Sequence, residues 1–151
     1  MLRFVPIILL ASLLSINCGS TGKDCTAAGC VSGVSVDFEL RERGNYVFDV
    51  TVDGVKTRCT ATLPLSNTSS PPCDAPGILL ILSGSALPES EQLIGGLSLT
   101  TTTAKSITIV ATRDGEQIGE STVAPPYQVG PPPNGPDCEP AGCTFARYSF
   151  P

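Results

Sequence analysis

Apolar and polar residues alternate with period two over most of this chain, and Asp-Gly dipeptides stand where alternating runs break off. That pattern constrains the fold more than any other feature, because a strand buried on one face needs period two and a helix does not. Val34, Val36, Phe38 and Leu40 share one parity, against Ser35, Asp37, Glu39 and Arg41. Tyr46, Phe48, Val50 and Val52 repeat the device, Asp53-Gly54 follows, and Val55, Thr57, Cys59, Ala61 and Leu63 continue it. Two alternating runs joined by Asp-Gly read as a hairpin closed by a type I′ turn, which needs positive φ at both central residues. Asp114-Gly115 joins Ser106–Thr112 to Glu116–Val123 in the same way, and Gly119 suggests a bulge in the second of those strands.

The remaining segments fit an all-β chain. Ile78–Leu82 is apolar on both parities and reads as a central strand covered on both faces. Leu97–Thr103 is polar enough for an edge strand, and Pro88–Leu93 could form one helical turn. Residues 64–77 are loop-like, and 125–136 hold six prolines in twelve residues, an extended surface crossing in which Tyr127 covers the core. Cys143–Phe150 closes the chain. About eight short strands without a helical segment predict an antiparallel β-sandwich, with a small closed barrel as the alternative. The sandwich resembles immunoglobulin-like modules in general. There is no Trp, so the tryptophan-and-disulfide signature of antibody domains is absent.

The first eighteen residues follow a different logic. Arg3, an apolar run from Phe4 to Leu14, and Ser15-Ile16-Asn17 before Cys18 have the layout of a secretory signal too short to span a bilayer. This resembles the type II signal of bacterial lipoproteins, although Ser15, Ile16 and Asn17 depart from the family's usual Leu, small residue, and Gly or Ala. The resemblance implies that residues 1–17 are removed and that Cys18 is acylated to hold the chain on a bilayer. It implies further that 18–24 form the anchor and tether and that 25–151 form one domain. Gly19 lacks the Asp that retains some such proteins at the inner membrane, so the resemblance points to the outer membrane of a bacterial envelope. Six tether residues, 19–24, reach at most ~20 Å.

Cysteine arithmetic agrees with that layout. Seven cysteines less Cys18 leave six, a disulfide framework for an exported domain. Cys59 has inward parity and Cys73 ends a Pro-rich loop, so these two are expected to pair. Asp24-Cys25-x3-Gly29-Cys30 and Asp137-Cys138-x3-Gly142-Cys143 echo each other. Local clamps Cys25–Cys30 and Cys138–Cys143 are the simpler expectation. Crossed pairing of Cys25 and Cys30 with Cys138 and Cys143 stays open should the first and last strands be neighbours. Zinc is set aside, because the chain has no His and exported thiols oxidise.

Chemistry is sparse. Without His there is no Ser-His-Asp or Cys-His nucleophile and no imidazole acid–base work. Glu89 and Glu91 read as a solvated turn, Gly95-Gly96 lacks a phosphate-loop context, and Asn67-Thr68-Ser69 is a chance acceptor match. After loss of Arg3 with the signal, 8 basic residues face 14 acidic ones, so no nucleic-acid surface is expected. The expectation is an anchored protein with a binding or structural role and no catalytic, cofactor or metal site. Its partners would be the bilayer and an unknown envelope protein or glycan. A sugar- or peptide-binding module on loops 64–77 and 83–96 is the first alternative, and a metal-independent hydrolase the second.

Overall fold

A computed structural model describes residues 31–66, 73–132, 135, 137 and 142–151. Nine strands follow in chain order: β1 Gly33–Leu40, β2 Gly44–Val52, β3 Val55–Leu63, β4 Ile78–Ser83, β5 Leu93–Leu99, β6 Ile107–Arg113, β7 Glu116–Val123, β8 Gln128–Val129 and β9 Thr144–Ser149. They form two sheets, β4-β5-β1-β9-β8 and β3-β2-β6-β7, stacked as a sandwich and not closed into a barrel. Among the described residues the only helical element is a 3₁₀ turn at Glu89–Glu91, and no helix is long and apolar enough to cross a membrane.

The inward parities make the core. Val34, Val36, Tyr46, Phe48, Val50, Cys59, Leu97, Leu99, Ile107 and Ile109 are all nearly inaccessible. The Phe38 ring of one sheet stacks on Phe48 of the other with centroids 5.1 Å apart, and Phe150 meets Phe38 edge-on. Burying ten side chains of this size supplies most of the drive to fold, at ~1.5–3 kcal/mol for each large aliphatic or aromatic. Tyr127 packs against this cluster while its hydroxyl accepts the Ala104 N–H at 3.1 Å.

Both Asp-Gly turns have the required backbone, with φ of 47° and 88° at Asp53 and Gly54, and 51° and 86° at Asp114 and Gly115. Each aspartate also clasps the other hairpin. Asp53 Oδ1 accepts the N–H groups of Lys105 and Ser106, both at 2.8 Å, at the entrance to β6. Asp114 Oδ1 accepts the N–H of Asn45 at 2.9 Å and its side-chain amide at 3.2 Å, near the start of β2. β2 and β6 are antiparallel neighbours, so each turn lies beside the other strand's start. The bulge suggested by Gly119 is present, since Ala111 pairs with Gly119 but Thr112 with Gln117.

Aligned on strand B of an immunoglobulin-type sandwich, β1–β7 fall in order on B, C, C′, D, E, F and G. No strand precedes β1 among the described residues. Strand A's place beside B is filled from the other end of the chain by β9, which runs parallel to β1 in the register Gly33↔Phe145 to Asp37↔Ser149. The sandwich is therefore not wholly antiparallel.

Two strand placements differ from expectation. Ile78–Leu82 is an edge and not a central strand: β4 pairs only with β5, Leu80 alone is buried, and Leu79, Ile81 and Leu82 are exposed. Its apolar outer parity reflects an uncovered face, which periodicity cannot distinguish from a buried one. Leu97–Thr103, expected at an edge, belongs to an interior strand that begins at Leu93, because Leu97 and Leu99 face the core while the polar run Thr100–Thr103 lies beyond the strand.

Cys59 is disulfide-bonded to Cys73 across an isolated bridge that lays residue 73 along β3. Cys143 is disulfide-bonded as well. Cys18, Cys25, Cys30 and Cys138 lie outside the described residues, as do the signal segment, the tether and Asn67–Ser69. First and last strands are neighbours, the condition set for the crossed pairing.

Candidate functional site: a trough on the outer face of the five-stranded sheet

The outward parities of the two sheets differ in kind. On the four-stranded sheet the outer face is charged and hydroxylated. Asp49 bonds Arg58 and Lys56, each at 2.9 Å, and Thr108 meets Thr122 at 2.9 Å. The Arg58 hydrogen bond, helped by Lys56, holds the Asp49 carboxyl below its usual range. In a shallow basin of about 480 Å³ over Asp49, Lys56, Arg58 and Asp74, the first three are thus already paired.

On the five-stranded sheet the outward residues are small in the middle and large at the sides. Leu79, Ser98, Ser35 and Arg147 lie side by side across β4, β5, β1 and β9. Gly33 stands beside Phe145. The result is a trough of about 390 Å³ with a floor of Gly33, Ser35 and Ser98 and walls of Ile81 on one side and Phe145 and Arg147 on the other. Val31, 83% exposed, stands at its mouth.

The backbone dictates this floor. A Cβ on Gly33, whose φ is +142°, would lie 2.1 Å from the Leu99 carbonyl oxygen, and one on Gly96 would lie 2.3 Å from that of Val36. Neither position can carry a side chain without moving a strand, so Gly33 leaves its part of the floor bare and Gly96 keeps β5 close against β1.

The charge of the trough is spent internally. Arg147 forms a fork with Asp37, Nε to Oδ2 at 2.8 Å and Nη2 to Oδ1 at 3.3 Å. The hydrogen bond and the charge of Asp37 push the Arg147 pKa up, so it stays cationic and paired. Beside this exposed ion pair the trough presents aliphatic and aromatic surface with serine hydroxyls beneath it, a surface suited to burying an apolar segment and offering no nucleophile–base pair.

The loops singled out in the sequence fare differently. Buried Gln92 ties them together, its Oε1 accepting Leu65 N–H at 2.6 Å and its Nε2 donating to Leu87 O at 3.1 Å. Ala75, Pro76 and Gly77 line a smaller pocket of about 230 Å³ at the sandwich end. Glu89 is engaged by Arg43 and is not brought into a carboxylate pair. Among the described residues no group of three or more His, Cys, Asp or Glu is placed to hold a metal ion. The trough had a faint signal in the sequence: Gly33 and Ser35 open the polar parity of β1, and Gly96 and Ser98 hold that of β5, where a solvated face usually carries charge.

No protein-family model matches the chain, and no curated protein or solved structure matches it either.

Proposed function

We propose that this protein is an exported lipoprotein, held on the bacterial outer membrane through acylated Cys18, whose sandwich is a non-catalytic docking domain for an extended apolar segment of another envelope protein. The anchoring rests on Arg3, the apolar run to Leu14, Cys18 and an otherwise even number of cysteines. The docking role rests on one observation, the trough walled by Ile81 and Phe145 over a floor of glycine and serine in which Gly33 has no room for a Cβ. Exposed apolar concavities of this kind mark interaction sites on exported domains. The lining favours peptide over glycan, because Phe145 is its one aromatic ring and sugar platforms need several. A hydrolytic role lacks support: the chain has no His, and the trough's ionised groups neutralise each other.

Site-specific photocrosslinking in living cells tests the docking role. A photoreactive residue at Val31 should give a discrete adduct with another envelope protein, which Ser98→Trp abolishes by filling the floor. The same probe at Thr60, on the outer face of the other sheet, should give none. Equal adducts at Val31 and Thr60, or an adduct indifferent to Ser98→Trp, would exclude the trough as the docking surface.

A further inference from the structure

A two-sheet sandwich has four sheet edges, and each presents unpaired backbone groups that another strand could adopt unless something blocks it. Three are blocked here. The β3 edge carries Lys56 and Arg58 and is overlaid by the disulfide-bonded segment, with Asp74 N–H donating to Arg58 O at 2.9 Å. The β7 edge is distorted by the bulge at Ile118–Gly119 and bears Glu116 and Glu120. The β8 edge is two residues long and flanked by Pro125, Pro126, Pro131 and Pro132, and the stretch Ala146–Ser149 of β9 that β8 does not cover carries Arg147.

Among the described residues the fourth edge has none of these guards. β4 reads Ile-Leu-Leu-Ile-Leu-Ser, without charge, proline or glycine. Leu79 and Ile81 are 57% and 40% exposed on its outer face, and no Asp, Glu, Lys or Arg occurs from Gly77 to Pro88. An apolar, uncharged edge of this kind is a template for strand addition.

We infer that β4 is the pairing strand of a homodimer, in which two copies of this chain join edge to edge and antiparallel about a two-fold axis at Leu80. That register keeps both faces in phase. Leu80 meets its own copy on the inner side, while Leu79 of each chain lies opposite Ile81 of the other on the outer side. The two five-stranded sheets become one continuous sheet, with the two troughs side by side on its outer face.

The occupant is chosen by self-complementarity. β4 carries no charge by which to select a foreign strand. Self-pairing brings no like charges together either, since residues summing to 160 face each other and Asp74 falls opposite Ala86. The two-fold closes the interface and uses the β4 edge of both copies, so pairing through β4 stops at two. The proposed membrane anchoring enters only by concentrating the copies; the pairing itself rests on β4.

The test is native mass spectrometry of the full chain extracted from membranes in mild detergent. A dimer is expected for the native protein. The double variant Leu79→Lys with Ile81→Lys sets two like-charge pairs across the axis and should raise the dimer dissociation constant by roughly tenfold or more. Val55→Lys, a still more exposed apolar site away from β4, should leave the dimer intact. Hydrogen exchange keeps folding and pairing apart: β5 amides should stay protected in the double variant while β4 amides lose protection. A monomeric native chain, bare or carrying a foreign peptide, would overturn the inference, as would a dimer indifferent to the two lysines. The same spectra report acyl mass, so failure of the anchoring reading is seen separately from failure of the dimer.

Discussion

Asp53 is where local turn chemistry and long-range assembly meet, and its replacement gives graded, calculable losses. Its backbone sits at φ 47°, and its Oδ1 receives two backbone N–H groups, Lys105 and Ser106, at 2.8 Å. Asp53→Ala removes both acceptor contacts and puts a residue in the left-handed region that tolerates it less well than Asp or Asn. At ~1 kcal/mol for each hydrogen bond on an exposed carboxylate and ~1 kcal/mol for the backbone, the loss is about 3 kcal/mol. That is a large part of the ~5–15 kcal/mol typical of a domain. Asp53→Asn keeps a carbonyl oxygen in place and keeps the tolerance of positive φ, so it should cost only about 1 kcal/mol. Urea titration followed by far-ultraviolet circular dichroism reads both, with the midpoint falling in the order native, Asn, Ala at unchanged slope. An Ala variant within 0.5 kcal/mol of native, or an Asn variant as costly as Ala, would refute the clasp.

Three further outcomes follow from particular side chains. The Tyr148 hydroxyl is buried with no hydrogen-bond partner among the described residues, so Tyr148→Phe should stabilise the fold by roughly 1 kcal/mol at neutral pH, read as a higher melting temperature. Burial pushes the Tyr148 pKa up to about 12, above the ~10 of an unfolded chain, so the folded state favours the neutral phenol. Its contribution is whole below pH ~10 and is lost as the pH rises through ~12, and the Phe variant should lack this part of the alkaline limb. Replacing Cys59 and Cys73 together by Ala should cost about 3 kcal/mol in chemical denaturation, from the 14-residue separation that the bond closes. For Cys143 the parallel register Gly33↔Phe145, with Thr144 N–H donating to Ser32 Oγ at 3.1 Å, favours the crossed pairing. A non-reducing peptide map should then link Cys143 to Cys30 or Cys25, and a Cys138–Cys143 fragment would restore the local clamp.

The hairpins were legible because their information is local. Alternation fixed which side chains of β1, β2 and β3 face inward, and Asp-Gly supplied turns whose handedness matches strand twist. Sheet membership was not legible, because the apolar run Ile78–Leu82 reads the same whether its outer face is covered or bare. Thr100–Thr103 gave Leu97–Leu99 a polar look that belongs to the following loop. The parallel seating of β9 beside β1 depends on a crossing of some twenty residues, beyond any local pattern. The trough was hidden for the same reason. Ser35, Ser98 and Phe145 are far apart in sequence, and only the register shows small residues flanked by large ones.

The anchored-lipoprotein reading governs where the trough and the bare β4 edge operate, and one mass decides it. Intact-mass and N-terminal peptide analysis of the chain purified from its native membranes should find a polypeptide beginning at Cys18 and carrying a diacylglyceryl group on that residue. Cys18→Ala should yield neither the cleavage nor the added mass. A native chain that begins elsewhere, or begins at Cys18 without lipid, would contradict the account.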